Sequence, residues 1–177
     1  MSSKITDVNS DKELILQIRK GDKNAFKTLF IKYYRKLINF CLYRAVDLET
    51  SKDLVQDIFT KLWHSKTNLD PEKSIQAYLY KSITNQIINL AKHSSSKNIS
   101  LDISIFAKSA NNEQSIDDKI DVESSIQKLP EKLKTVFLLS RIEGFKYSEI
   151  AEICNISVKA VEKRMSKAFF LLRKDLN

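Results

Sequence analysis

Two glycines and two prolines in 177 residues leave little material for hairpin turns, and nothing in the chain alternates with period two. An all-α fold is therefore expected. The two cysteines, Cys41 and Cys154, lie far apart and outside any metal-ligand spacing, so they read as small apolar core residues in a reducing compartment. The opening "MSSKITDVNS" lacks the apolar core of a signal peptide, and no run approaches a membrane span. A cytoplasmic protein without membrane insertion is expected. Catalytic material is scarce too. There is no glycine-rich phosphate loop, no nucleophile elbow and no HExxH, and His64 and His93 have no metal-ligand partner at workable spacing. No enzymatic activity, cofactor or metal is expected.

What the chain does have is positive charge in helical rhythm. Lys and Arg number 30 against 22 Asp and Glu, a net charge of +8, which points to a polyanionic partner. The charge is uneven: +6 over residues 1–93, −2 over 94–128 and +4 over 129–177. In the first stretch "SDKE" at Ser10 to Glu13 is a capping-box pattern, followed by apolar Leu14, Ile15 and Ile18 and a helix exit at Gly21. Asp22 caps a second helix with apolar positions Phe26, Leu29, Phe30, Tyr33, Leu37 and Cys41. A third is predicted from about Ser51 to Ser65, burying Leu54, Val55, Ile58 and Leu62. A fourth is predicted to start near "DPEKS", with Pro71 at a first helical position.

Residues 94–121, "SSSKNISLDISIFAKSANNEQSIDDKID", lose that rhythm and read as a flexible linker. The expected architecture is two small helical domains, 1–93 and 122–177, joined by this tether. In the second domain Gly144 ends one helix, and "YSEIAEICNISVKAVEKRMSKAF" follows. There Ile150, Ala151 and Ile153 form a scaffold face. Asn155 tolerates a left-handed turn, Ile156 plugs it and Ser157 caps the next helix. That helix places Val158, Val161, Met165, Ala168 and Leu172 on one side. Lys159, Lys163 and Lys167 form a ridge on the other, beside Ala160 and Arg164. A lysine ridge with a small residue near its start fits a DNA major groove, so this is read as a helix-turn-helix.

The C-terminal segment "LPEKLKTVFLLSRIEGFKYSEIAEICNISVKAVEKRMSKAFFLLRK" resembles the promoter-reading domain of bacterial RNA polymerase sigma factors, in particular the extracytoplasmic-function (ECF) group. Upstream, "GDKNAFKTLFIKYY", "DLVQDIFTKLW" and "YLYKSITNQIINLAK" are similar to that group's N-terminal domain, in the same order. The resemblance implies a subunit that binds core RNA polymerase and directs promoter-specific initiation. It assigns the minus-thirty-five element to the helix-turn-helix, with Ser157, Lys159, Ala160, Lys163, Arg164 and Lys167 facing DNA. It also implies that the third helix grips core polymerase. Asp53, Gln56, Asp57, Phe59, Thr60 and Trp63 suit that task as acids and amides rimming aromatics beyond the core stripe.

From Lys73 through Leu101 there is no acidic residue, which suits a surface beside phosphates. Tyr80, Lys81, Asn85, Lys92 and His93 supply the ring, amide and cations that trap unpaired bases, while Tyr78 reads as core. The resemblance assigns this helix to the minus-ten element and the unpaired non-template strand. Where the group often carries an acid and an arginine near the helix end, this sequence has Asn89 and Lys92. An anti-sigma partner is also implied. The competing reading is a helix-turn-helix regulator with a sensing or dimerising N-terminal half, which has no use for a polymerase-binding face.

Overall fold

The structure, a computed structural model, describes residues 10–94 and 116–175, with side chains described except at positions 93, 94 and 116–121. Every regular element in these segments is helical. Four helices form the first half: α1 (Asp11–Arg19), α2 (Lys23–Tyr43), α3 (Leu48–His64) and α4 (Ile75–Ser94), with a short 3₁₀ turn at Lys66–Asn68. Four form the second: α5 (Ile116–Lys128), α6 (Glu131–Arg141), α7 (Tyr147–Cys154) and α8 (Val158–Asp175). Most of the segment expected as a linker lies outside the described residues, but its end is the first part of α5.

Local chemistry sets the helix ends. The Ser10 hydroxyl accepts from the Glu13 N–H, and one Asp22 oxygen accepts from the N–H groups of Asn24 and Ala25. Gly21 and Gly144 both follow helices with positive φ, +89° and +77°, a conformation that glycine adopts without a Cβ penalty. Two boundaries differ from the sequence expectation. Helix α3 starts at Leu48, before Ser51, because Asp47 caps it by accepting from the Thr50 N–H, a bond that also holds the Asp47 carboxyl below its usual range. Helix α4 starts at Ile75. Asp70 folds back to accept from the Glu72 N–H, so Pro71 sits in a turn, and Ser74 accepts from the Ala77 N–H instead.

In the first half α2 packs on α1 and α3, and α4 closes over α2 and α3. The Tyr33 hydroxyl donates to Asp11 at 2.5 Å and pins α1 to α2. In the second half α8 lies across α5, α6 and α7. The halves also meet, chiefly through α4 and α7, and their buried residues form one continuous core.

Candidate protein-binding and nucleic-acid interfaces

The first candidate face is aromatic. Phe26, Phe30 and Tyr34 recur every four residues along α2 and meet Phe59 and Trp63 of α3. The Phe26 and Trp63 ring centroids are 5.0 Å apart and those of Phe30 and Phe59 4.9 Å, both edge-on. Together with Lys52, Gln56 and Thr60 these rings line an open pocket of about 440 Å³. Asp53, Gln56 and Thr60 are exposed, Asp57 and Trp63 are part-exposed, and the Lys66 ammonium sits 4.6 Å from the Trp63 ring. Phe59 departs from expectation. At 2% exposure it is the floor of the pocket, held under Phe26 and Phe30, and offers no free surface of its own. Conversely, Phe26 and Phe30, read from sequence as core, are only half-buried and line the pocket with Tyr34.

On α4 the two tyrosines exchange roles. Tyr80, expected to face DNA, is fully buried, edge-on to Phe40 of α2 at 5.2 Å and to Phe145 at 5.3 Å. Tyr78, expected in the core, is 40% exposed. It lies on the same face as Lys81, Asn85 and Lys92, which are exposed at three-four spacing. The side chain of His93 lies outside the described residues. The exposed stripe is thus Tyr78, Lys81, Asn85 and Lys92: one ring, one amide and two cations.

Tyr80 marks where the halves join. Its hydroxyl makes no well-formed hydrogen bond, and its pKa is pushed up first by burial and then by the Glu143 carboxylate beside it. Arg44, with 5% of its side chain exposed, reaches across to Glu131 at 3.2 Å, and Tyr43 donates to Glu123 at 3.3 Å. Lys134, as deeply buried, pairs with the same Glu131. Burial raises the Glu143 carboxyl above its ordinary range, while the Tyr80 hydroxyl and the Lys36 ammonium pull it back. Between the ordinary and the raised pKa the packed form holds more protons than the unfolded one. The stability contributed at low pH is therefore lost as pH rises through that window. Glu143→Gln is expected to raise the thermal midpoint at pH 7, with the gain over wild type shrinking near pH 4. An equal difference at both pH values would show that Glu143 is not the titrating group.

The helix-turn-helix is built as its sequence dictates. The Lys146 N–H donates to the Glu149 carboxylate at the start of α7, which buries Ile150, Ala151 and Ile153. Asn155 takes the left-handed conformation at φ 52°, and the Ser157 hydroxyl accepts from the Ala160 N–H at 3.2 Å. Helix α8 buries Val161, Met165, Ala168 and Leu172. Val158, expected on this side, is instead 42% exposed, since it sits in the first turn ahead of the packed stretch. Lys159, Lys163 and Lys167 are exposed and make no ion pair among the described residues, while Ala160 and Arg164 are half-buried beside them. Asn155→Val puts a β-branched residue at positive φ and is expected to cost about 1–2 kcal/mol in denaturant unfolding. Asn155→Gly is expected to leave stability nearly unchanged, and equal losses in the two variants would refute the turn argument. Among the described residues no cluster of His, Cys, Asp or Glu could hold a metal, and no helix is long and apolar enough to cross a membrane.

A basic helix-turn-helix behind a helical unit with an aromatic pocket and a basic stripe is the arrangement the sequence led one to expect of a promoter-recognition subunit. Comparison with known proteins agrees. Residues 29–96 match the family Sigma-70 region 2, and residues 119–169 match Sigma-70, region 4. The ECF RNA polymerase sigma-E factor of Haemophilus influenzae is 28% identical, over 90% of this chain and 91% of its own. CnrH of Cupriavidus metallidurans, solved in complex with the cytosolic domain of CnrY, superposes with a TM-score of 0.70 at 25% identity, covering 94% of this chain and 96% of its own. RpoE of Bartonella quintana, solved with the anti-sigma factor NepR, shares the fold at a TM-score of 0.72 and 21% identity, covering 85% and 96%. This chain belongs to the sigma-70 family, in its ECF group, and directs promoter-specific initiation by core RNA polymerase.

Proposed function

We propose that the work is divided between a first domain, residues 1–93, and a second, residues 122–177. The pocket on α2 and α3, lined in part by Gln56 and Thr60, docks on core polymerase together with the neighbouring carboxylates of Asp53 and Asp57. The α4 stripe of Tyr78, Lys81, Asn85 and Lys92 takes the minus-ten element and its unpaired strand, and the α8 ridge takes the minus-thirty-five element. Bond formation belongs to the polymerase, so the chain catalyses nothing itself and acts in the cytoplasm. The observation that carries this reading is the order of three outward faces along one chain, aromatic, then acid-free, then lysine-ridged. Run-off transcription with purified core polymerase on genomic fragments tests it. Discrete start sites that depend on the chain are expected, and their absence on every fragment would sink the proposal.

Asp57→Lys is expected to weaken core binding on the order of tenfold. Stability should fall by only about 1 kcal/mol, because the hydrogen bond and ion pair lost with Asp57 sit at a half-exposed site. Core affinity like that of wild type would remove Asp57 from the docking face.

The contacts of Tyr80 with Phe145 and of Arg44 with Glu131 hold the halves together. Two promoter elements lie farther apart than one small domain is wide, so these contacts part on polymerase. An anti-sigma protein, like that solved with the Bartonella RpoE, would act by covering faces of both halves. Spin labels at Asn24 and Lys174 report the change. A longer distance in the holoenzyme than in the free chain is expected, and one unchanged distance would refute the opening.

A further inference from the structure

We propose that Gln86 is a positioning residue for polymerase binding, reaching from the DNA-side helix α4 to aim the Asp57 carboxylate of α3 at its partner. The proposal rests on the reading of α3 as the docking helix. Gln86 Nε2 donates to Asp57 Oδ2 at 2.6 Å, and Lys61 Nζ donates to the same oxygen at 2.6 Å. With both donors on Oδ2, Asp57 Oδ1 accepts from no described residue and is left for an incoming donor.

The two donors differ in what they can do. Lys61 is 66% exposed, so its ammonium can swing into water when another cation arrives. Gln86 is half-buried and comes from a second helix, so it stays. Being neutral, it fixes the direction of the carboxylate without cancelling its charge, and a hydrogen bond to an ionised acceptor is among the stronger kinds. The amide is also a poor choice for packing alone. Its Oε1 is buried without any hydrogen-bond partner, a loss that a methionine of similar size would not incur. What the amide supplies is the N–H to Asp57. The chemistry left at Oδ1 suits a guanidinium or ammonium on the polymerase. Because Gln86 adjoins Asn85 on α4, a cation seated at Asp57 is linked through one side chain to the helix that meets DNA.

The test is a double-mutant cycle on core-polymerase affinity with the full chain, using Gln86→Met, Asp57→Ala and the pair. Gln86→Met should bind core roughly fivefold more weakly, with a thermal midpoint equal to or above wild type, and should add no loss once Asp57 is alanine. Gln86→Glu, which keeps the size but places an acceptor against Asp57, should lose more. An unchanged affinity for Gln86→Met, or the same loss on both backgrounds, overturns the positioning role. Asp57→Ala binding core like wild type would instead remove Asp57 from the docking face on which the proposal rests.

Discussion

Lys159→Glu with Lys163→Glu is expected to abolish transcription from promoters that need the upstream element, while binding to core polymerase persists. Both ammonium groups stand on the exposed face of α8, one turn apart, outside the core and without a described ion pair. Every phosphate deprived of its lysine takes roughly one unit off the slope of log affinity against log salt, so the double variant should flatten that slope by about two. The reversal also sets two new acids against the backbone of the duplex, so the effect exceeds that of two alanines. The helix tolerates the change. Two glutamates four apart repel no more than the two lysines they replace, and an acid in its first turn is favourable. The cap at Ser157 and the turn at Asn155 are untouched. Run-off assays paired with salt titration of promoter binding decide it, and normal use of the upstream element would remove the ridge from the interface.

The second large effect is on stability. Phe59→Ala should cost about 3–5 kcal/mol, because it deletes a buried ring and leaves Phe26 and Phe30 without their floor. Against the roughly 5–15 kcal/mol that holds a typical domain folded, that is a severe loss. In a chain of this length the thermal midpoint should fall on the order of 10 °C. Core binding should weaken as well, since the pocket loses its shape. Asp57→Lys, by contrast, should lower the midpoint only slightly. Denaturant titration of the two variants separates them, and a loss below about 1 kcal/mol for Phe59→Ala would contradict the packing described above.

Much of this was legible in the sequence wherever one residue's own chemistry decides the outcome. Gly21 and Gly144 stop helices because positive φ favours glycine. Asp22 and Ser157 cap because their oxygens reach the first free N–H groups, and Asn155 turns because asparagine tolerates the left-handed basin. What stayed hidden was set by distant parts of the chain. In "AYLY" either tyrosine can complete an apolar stripe, and the choice falls to Tyr80 because Phe145 of the second half closes over it. Phe59 widens the buried arc of α3 to Val55, Ile58, Phe59 and Leu62, because α2 brings two rings to cover it. Pro71 was displaced by a local competitor, the Asp70 carboxylate that folds into a turn. Gln86 gave no signal, since a lone glutamine on a polar helix face looks like any other.

The junction of the halves joins unlike materials. Rings from Tyr80, Phe40 and Phe145 lie beside the guanidinium of Arg44, whose Nη1 has no hydrogen-bond partner, and the carboxylates of Glu131 and Glu143. Parting the halves wets both kinds of surface. Hydrating the rings raises the heat capacity and hydrating the charged groups lowers it, so the two contributions oppose each other. The enthalpy of parting therefore changes less with temperature than it would across a purely apolar junction of the same area.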